Sequence, residues 1–321
     1  MKLITLFLTI AAAFWSTVSN ASPSYQDENL FSDNLSLNVA LGWLAGRANE
    51  YVYGEDGRKL SQLDWEIKNT PIIKGSISWD VSAWLTFEAN GWMTLGPRNS
   101  TMNDFDWENP KQTHWTRWSY SPKTPLNYAN EFNINSYIWL LKNNSFKVAG
   151  VIGYQQAQFH WTTIGGYYDY RRQCINEGGN NCQAAEGNFP LTPGIDYKQE
   201  FSVPYIGSKI QYKYNNWEFN TLLKYSPWVL AKDHDEHYRR QLSFREKTHN
   251  SEYYSVSANI AYYMTPQLKF FSEGIWNKYT QGRGAAQMTN NENRSSLYLG
   301  GDVAGIENKS YQITLGIAYQ F

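Results

Sequence analysis

The last nine residues alternate without a break. Ile313, Leu315, Ile317, Tyr319 and Phe321 fall on one face, and Thr314, Gly316, Ala318 and Gln320 on the other. A period of two is the mark of a β-strand with one apolar side. The same pattern stands near the other end, where Leu35, Leu37, Val39, Leu41 and Trp43 alternate with Ser36, Asn38, Ala40 and Gly42. Both ends therefore read as strands; a soluble sandwich would alternate too, but with its apolar face inward and without large aromatics at the ends of so many strands. Past the N-terminal segment there is no run of about 18 apolar residues, so no helix of this chain can span a bilayer. Yet Trp, Tyr and Phe make up 17% of the residues while the mean hydropathy is negative. A membrane barrel reconciles the two, because only every second residue meets lipid and aromatic girdles mark both interfaces.

Turn signals count the strands. Short breaks at Trp79–Ser82, Lys142–Ser145, Asn215–Asn216 and Thr265–Gln267 alternate with five longer polar segments, near 53–60, 96–125, 164–196, 230–250 and 279–305. Four turns and five loops join ten strands. The expected fold is all-β: a ten-stranded antiparallel transmembrane β-barrel with short periplasmic turns and long extracellular loops. The alternation from Leu35 to Tyr53 suggests strands of about 15 to 20 residues, where roughly 9–11 cross a bilayer. The barrel should therefore stand well above the membrane.

Met1–Lys2, the apolar stretch Leu3–Trp15 and the small residues Ser19 and Ala21 read as a secretory signal peptide over 1–21, leaving 22–321 as the barrel domain. Cys174 and Cys182, eight apart in a Gly/Asn-rich segment, are expected to form one loop disulfide in an oxidising compartment. Lys+Arg 28 against Asp+Glu 29 gives a net charge of −1, with no basic cluster of the kind that grips nucleic acid. No metal site is expected, since the only dense group of ligands, from Asp233 to His237, is packed too closely in sequence to close a shell.

Two constellations carry chemistry. Asp104 and Asp106 stand two apart, so in extended backbone they share a face; Asp235 and His237 do the same. With ten strands in a ring, the loops that hold them lie nearly opposite. A water between the pairs could lose a proton to His237, with Asp235 stabilising the imidazolium and the two aspartates positioning the water for attack on a carbonyl. Paired carboxyls resist double ionisation, so one of them can keep a proton near neutral pH. Ser119 is a weaker candidate nucleophile, having no base near it in sequence.

The chain resembles the omptin family of outer-membrane proteases along essentially the whole mature length. The resemblance is carried by Gly57–Trp65 (GRKLSQLDW), Gly91–Gly96 (GWMTLG), Leu126–Phe132 (LNYANEF), Tyr197–Gln199 (YKQ), Pro204–Gly207 (PYIG), Asp235–Tyr238 (DEHY), Tyr253–Val256 (YYSV) and Ala304–Asn308 (AGIEN). It implies a Gram-negative surface endopeptidase whose catalytic groups are Asp104, Asp106, Asp235 and His237. It also implies cleavage beside Arg or Lys of polypeptide substrates, through an acidic pocket at Glu50 and Asp233. The resemblance further implies lipopolysaccharide as an activator, gripped on the outer wall by basic side chains. Here Gln158, Glu200 and His249 stand where two arginines and a lysine are expected, and Tyr154 remains. A carboxylate at Glu200 repels phosphate, so the lipid is expected to differ, to sit elsewhere or to be needed less. Arg117 replaces an aspartate after Trp115–Thr116 and changes the charge at the cleft edge. No cofactor is expected, and the chain should act as a monomer. Two rival classes are a non-catalytic adhesin or receptor barrel and a diffusion pore. Adhesion has no need of the two acid pairs, and ten strands leave a narrow lumen.

Overall fold

The computed structural model describes residues 34–111, 113–174 and 186–321. The signal-peptide segment lies outside these residues, as do Cys182 and the side chain of Cys174. Ten long antiparallel strands form the wall: β1 (Leu35–Tyr53), β2 (Lys59–Ser82), β3 (Leu85–Thr94), β6 (Leu126–Lys142), β7 (Phe146–Ile164), β10 (Pro193–Tyr214), β11 (Trp217–His237), β12 (Leu242–Tyr263), β13 (Leu268–Asn290) and β14 (Ser296–Gln320). They pair in the order β1–β2–β3–β6–β7–β10–β11–β12–β13–β14, and β14 returns to β1 from Ser36↔Gln320 to Val52↔Ala304, so the ring is closed. Four short strands complete the set: β4 (Met102–Asp106), β5 (Arg117–Ser121), β8 (Tyr167–Asp169) and β9 (Glu186–Asn188). They run β2–β4–β5–β8–β9 and carry part of the wall upward from the ring.

The outer face follows the alternation. Leu37, Val39, Leu41 and Trp43 of β1 and Tyr311, Ile313, Leu315, Ile317 and Tyr319 of β14 are all exposed, while Ala40 and Thr314 between them are buried. In water such a band would be untenable; in lipid it is what holds the barrel in place. The turns below are tight, at 83–84, 143–145, 215–216 and 264–267. The first falls just past the expected position, because β2 continues through Ser82.

Above the band two of the expected loops are strand. β11 runs to His237 and β12 starts at Leu242, while β13 runs to Asn290 and β14 starts at Ser296. The segments 230–250 and 279–305 are therefore tall hairpins closed by turns of four and five residues. Their polar composition reflects a wall with water on one side and a polar cleft on the other.

The lumen is not polar throughout. Trp65, Phe159, Trp161, Tyr197, Phe201, Tyr253 and Tyr279 point inward and are fully buried. Trp65 stacks on Tyr197 with centroids 4.8 Å apart, Phe201 on Tyr279 at 4.0 Å, and Tyr279 lies 4.8 Å from Tyr253. Each such pair adds about 0.5–1.5 kcal/mol beyond the area it buries. Together they make an aromatic floor beneath the mouth.

Candidate active site

Three wall segments aim carboxyls over that floor. On β1 the inward register of Ala40, Leu44 and Ala48 continues to Glu50, which is 3% exposed. On β11 the same parity carries Ala231, Asp233 and Asp235 inward, the last only 1% exposed. On β4, paired to β2 through Asp104↔Leu63 and Asp106↔Ser61, the two aspartates share one face and are half-buried. All three positions follow from the two-residue period, and the acids of β4 and β11 stand on strands and not in the loops where they were expected.

His237 closes β11. Its Nε2 lies 2.5 Å from Asp235 Oδ2, and its ring packs edge-on against Phe244 at 5.4 Å. A buried carboxylate on one ring nitrogen leaves the other as the base and favours the imidazolium once formed. Asp104 feels the charge of Asp235 from the opposing wall, so the two pairs share one site. The Ser61 hydroxyl donates to Asp104 Oδ1 at 3.3 Å. Burial, followed by the adjacent Asp106, holds the Asp104 carboxyl well above the ordinary range. Asp106 is raised as well, mainly by burial, with Ser61 pulling the other way. Both shifts favour the protonated form of the pair.

Glu50 is pushed well above the usual carboxyl range by burial and then by Asp235, Asp233 and Asp104. Asp233 is raised to about 7 by burial and by Asp235. Tyr197 Oη donates to Asp233 Oδ2 at 3.2 Å, Gln199 Nε2 donates to Tyr197 Oη at 2.9 Å, and Asn308 Nδ2 donates to Gln199 Oε1 at 3.1 Å. Gln199 also reaches the carbonyls of Asn49 and Glu307, each at 3.3 Å, so this chain of bonds crosses the lumen from β10 to β1 and β14. The acids therefore sit on a braced floor. Glu246 of β12, directly opposite Asp233 and 5% exposed, joins them; it was not among the expected residues. The available signal was parity, since Arg245, Lys247 and His249 all face outward and leave Glu246 and Thr248 inward.

Two other expected residues border the site, and the rest lie on the outer wall. Ser119 is buried on β5 opposite Asp104, and no histidine occurs on β5 or on its neighbours β4 and β8. Arg117 stands opposite Asp106 and forms a 2.6 Å ion pair with Glu108. Tyr154, Gln158 and Glu200 lie on the outer face of β7 and β10, and His249 on that of β12. Gln158 Nε2 approaches Glu200 Oε1 at 3.5 Å, and Glu200 is ion-paired with Lys198. The outer wall here is not short of cations. Lys232 stands opposite Glu200 on one side and Lys247 on the other, and His234 opposite Arg245. These side chains line an outward concavity of about 800 Å³.

A closed ten-stranded barrel with a lipid-facing band and an acid-lined, aromatic-floored mouth above it defines an outer-membrane protein whose working end faces outward. Comparison with known proteins gives its kind. Residues 31–321 match the omptin family model, and the chain belongs to the omptin family. It is 43% identical to the plasminogen activator of Yersinia pestis over 323 residues, covering 100% of both chains. It is 39% identical to the outer membrane protease OmpP of Escherichia coli over 324 residues, covering 100% of this chain and 99% of the other. The crystal structure of the outer membrane protease OmpT from Escherichia coli superposes with a TM-score of 0.85 at 38% identity, covering 94% of this chain and 99% of that one. This kinship identifies a surface protease of the Gram-negative outer membrane.

Proposed function

We propose that this chain is an endopeptidase that hydrolyses peptide bonds beside Arg or Lys by attack of a water held between Asp104–Asp106 and Asp235–His237. The observation that carries the reading is the 2.5 Å His237–Asp235 pair, whose charge is felt by Asp104 of the Asp104–Asp106 pair across the mouth. His237 removes a proton from the water as it attacks the carbonyl, and Asp235 stabilises the imidazolium. The Asp104–Asp106 pair orients the water, and the imidazolium returns its proton to the leaving amine. Glu50 and Asp233 form the pocket for the basic side chain, where charge-assisted hydrogen bonds are strongest because water is excluded.

The test is cleavage of an Arg-Arg peptide by the refolded protein. His237→Ala and Asp104→Ala are each expected to lower kcat by about 10² to 10⁴, the usual share of a positioned proton acceptor. Full activity in either variant overturns the mechanism. Lipopolysaccharide is proposed as the activating lipid, held by Lys198, Lys232, Arg245 and Lys247 in place of Gln158, Glu200 and His249.

A further inference from the structure

Glu246 adds an acid to a place that already holds too many. Glu50 Oε2, Asp233 Oδ1, Glu246 Oε2 and Thr248 Oγ1 are all buried with no well-formed hydrogen bond, the Trp65 indole beside Glu50 and the Glu246 backbone N–H beside Asp233 being the donors at hand. Asp233 and Glu246, side by side across β11 and β12, lie within hydrogen-bonding reach of each other. Two carboxylates are both acceptors, so that contact exists only with a proton between them. Tyr197 fixes the other oxygen of Asp233 at 3.2 Å, which keeps the pair in register. Buried acceptors of this kind call for a cation. Among the described residues no group of three or more His, Cys, Asp or Glu has the geometry to hold a metal ion. A cation that brings its own donors, as an ammonium with three or a guanidinium with five does, meets these acceptors by hydrogen bonds.

We propose that Glu246 is a third acid of the basic-side-chain pocket, and that the proton it shares with Asp233 leaves when a guanidinium or ammonium enters. This role rests on the reading of Glu50 and Asp233 as that pocket. The only bond broken is the carboxyl O–H. Its proton passes to bulk water, and the charge left behind pairs with the incoming cation. The groups facing the pair are Glu50 from β1, Tyr197 from β10 and Asp235 from β11, with Asp104 of β4 next beyond Glu50 and Asp235. Arg240, in the turn after β11, acts on Asp104 and Asp106. Nearly all of these are acids, so the empty pocket holds its proton until a cation replaces it. Binding of a basic side chain is then coupled to pH while the chemical step at His237 is not coupled through this group.

Two measurements test this on the full-length barrel. In the first, KM and kcat for an Arg-Arg peptide are followed from about pH 5 to pH 8 in the wild type, Glu246→Gln and Glu246→Asp. The wild-type KM is expected to fall by up to tenfold per pH unit on the acid side. Glu246→Gln should flatten that slope and raise KM about tenfold at the top of the range, with kcat changed by less than about threefold. Glu246→Asp, which restores the acid, should restore the slope. In the second, calorimetry of benzamidine binding to the wild type, in buffers of different ionisation heat, should show about one proton released per ligand below neutrality. A Gln variant with the wild-type KM slope, or benzamidine binding without proton release, overturns the role of Glu246 and leaves the Glu50–Asp233 pocket standing. A wild type that cleaves neutral and basic peptides equally overturns that pocket and this role together.

Discussion

Asp104 and Asp106 have the same chemistry and different surroundings, and the difference assigns their work. Burial and the neighbouring Asp106 both raise the Asp104 carboxyl, whereas Asp106, raised mainly by burial, stands opposite Arg117, whose charge pulls it down. A group whose pKa is raised by a like charge loses part of that rise when the charge is removed. Asp106→Asn should thus let Asp104 ionise at lower pH. If the pair must keep its proton to act, the alkaline limb of kcat/KM moves toward acid in this variant; a limb that stays in place shows that Asp106 has no hold on Asp104. Both aspartates, with Asp235 and His237, were legible in the sequence because i and i+2 spacing survives in any strand. Glu246 was not, since its neighbours Arg245 and Lys247 make the segment read as a solvated charge run. The distinction depends on which parity faces in, and the nearest residue that settles it, Tyr253, lies beyond an irregularity in the ladder around Val229↔Ser251.

At the scale of elements the site depends on strands that leave the ring. β3 stops at Thr94 and β4 resumes the edge of β2 at Met102, with Ser100 Oγ donating to Glu66 O at 2.6 Å in between. From there β5 and β8 continue the wall, and Gly165–Gly166 makes the bend between β7 and β8. Gly166 has φ +116, and a Cβ there would lie 2.4 Å from the Tyr120 carbonyl oxygen and 3.0 Å from Ser121 Cα, both backbone. Gly166→Ala is expected to cost about 1–3 kcal/mol of local strain. The β5–β8 edge should loosen, so hydrogen exchange quickens at Tyr120 and Tyr167 and kcat/KM falls, while exchange in β12–β14 is unchanged. Unchanged exchange at Tyr120 and Tyr167 would show that the bend is not under this constraint. The lipid-crossing halves of the strands were legible because hydrocarbon outside enforces a strict apolar alternation. The upper halves were not: with water on one face and a polar cleft on the other, β11 from Lys232 to His237 is polar on both sides and has the composition of a loop.

The whole molecule is divided by depth. Its lower half is fastened by the apolar band and its lumen is lined by ion pairs such as Lys269 with Glu218 at 2.6 Å. The aromatic floor lies above, then the acids, and outside the upper wall stand Lys198, Lys232, Arg245 and Lys247. The net charge of −1 conceals this separation of acid within from base without. On β11 Trp228 is 64% exposed at the upper part of the band, and Lys232 comes four residues later on the same outer face. A rise of about 3.3 Å per residue along a tilted strand puts its ammonium roughly 10 Å above the aromatic girdle, at the depth of lipid phosphates. A cation near an anionic membrane surface contributes about 1 kcal/mol. Lys232→Ala with Lys247→Ala should therefore raise the lipopolysaccharide concentration needed for half-maximal activity roughly thirtyfold. Gln158→Ala with His249→Ala should leave it nearly unchanged. The acids behind the wall give the reason that lipid could matter to catalysis: β11 carries Lys232 outward and Asp233 inward on consecutive residues, so a phosphate that steadies one side chain steadies the backbone of the other. If the double lysine variant requires no more lipid than the wild type, the outer cations are not its site.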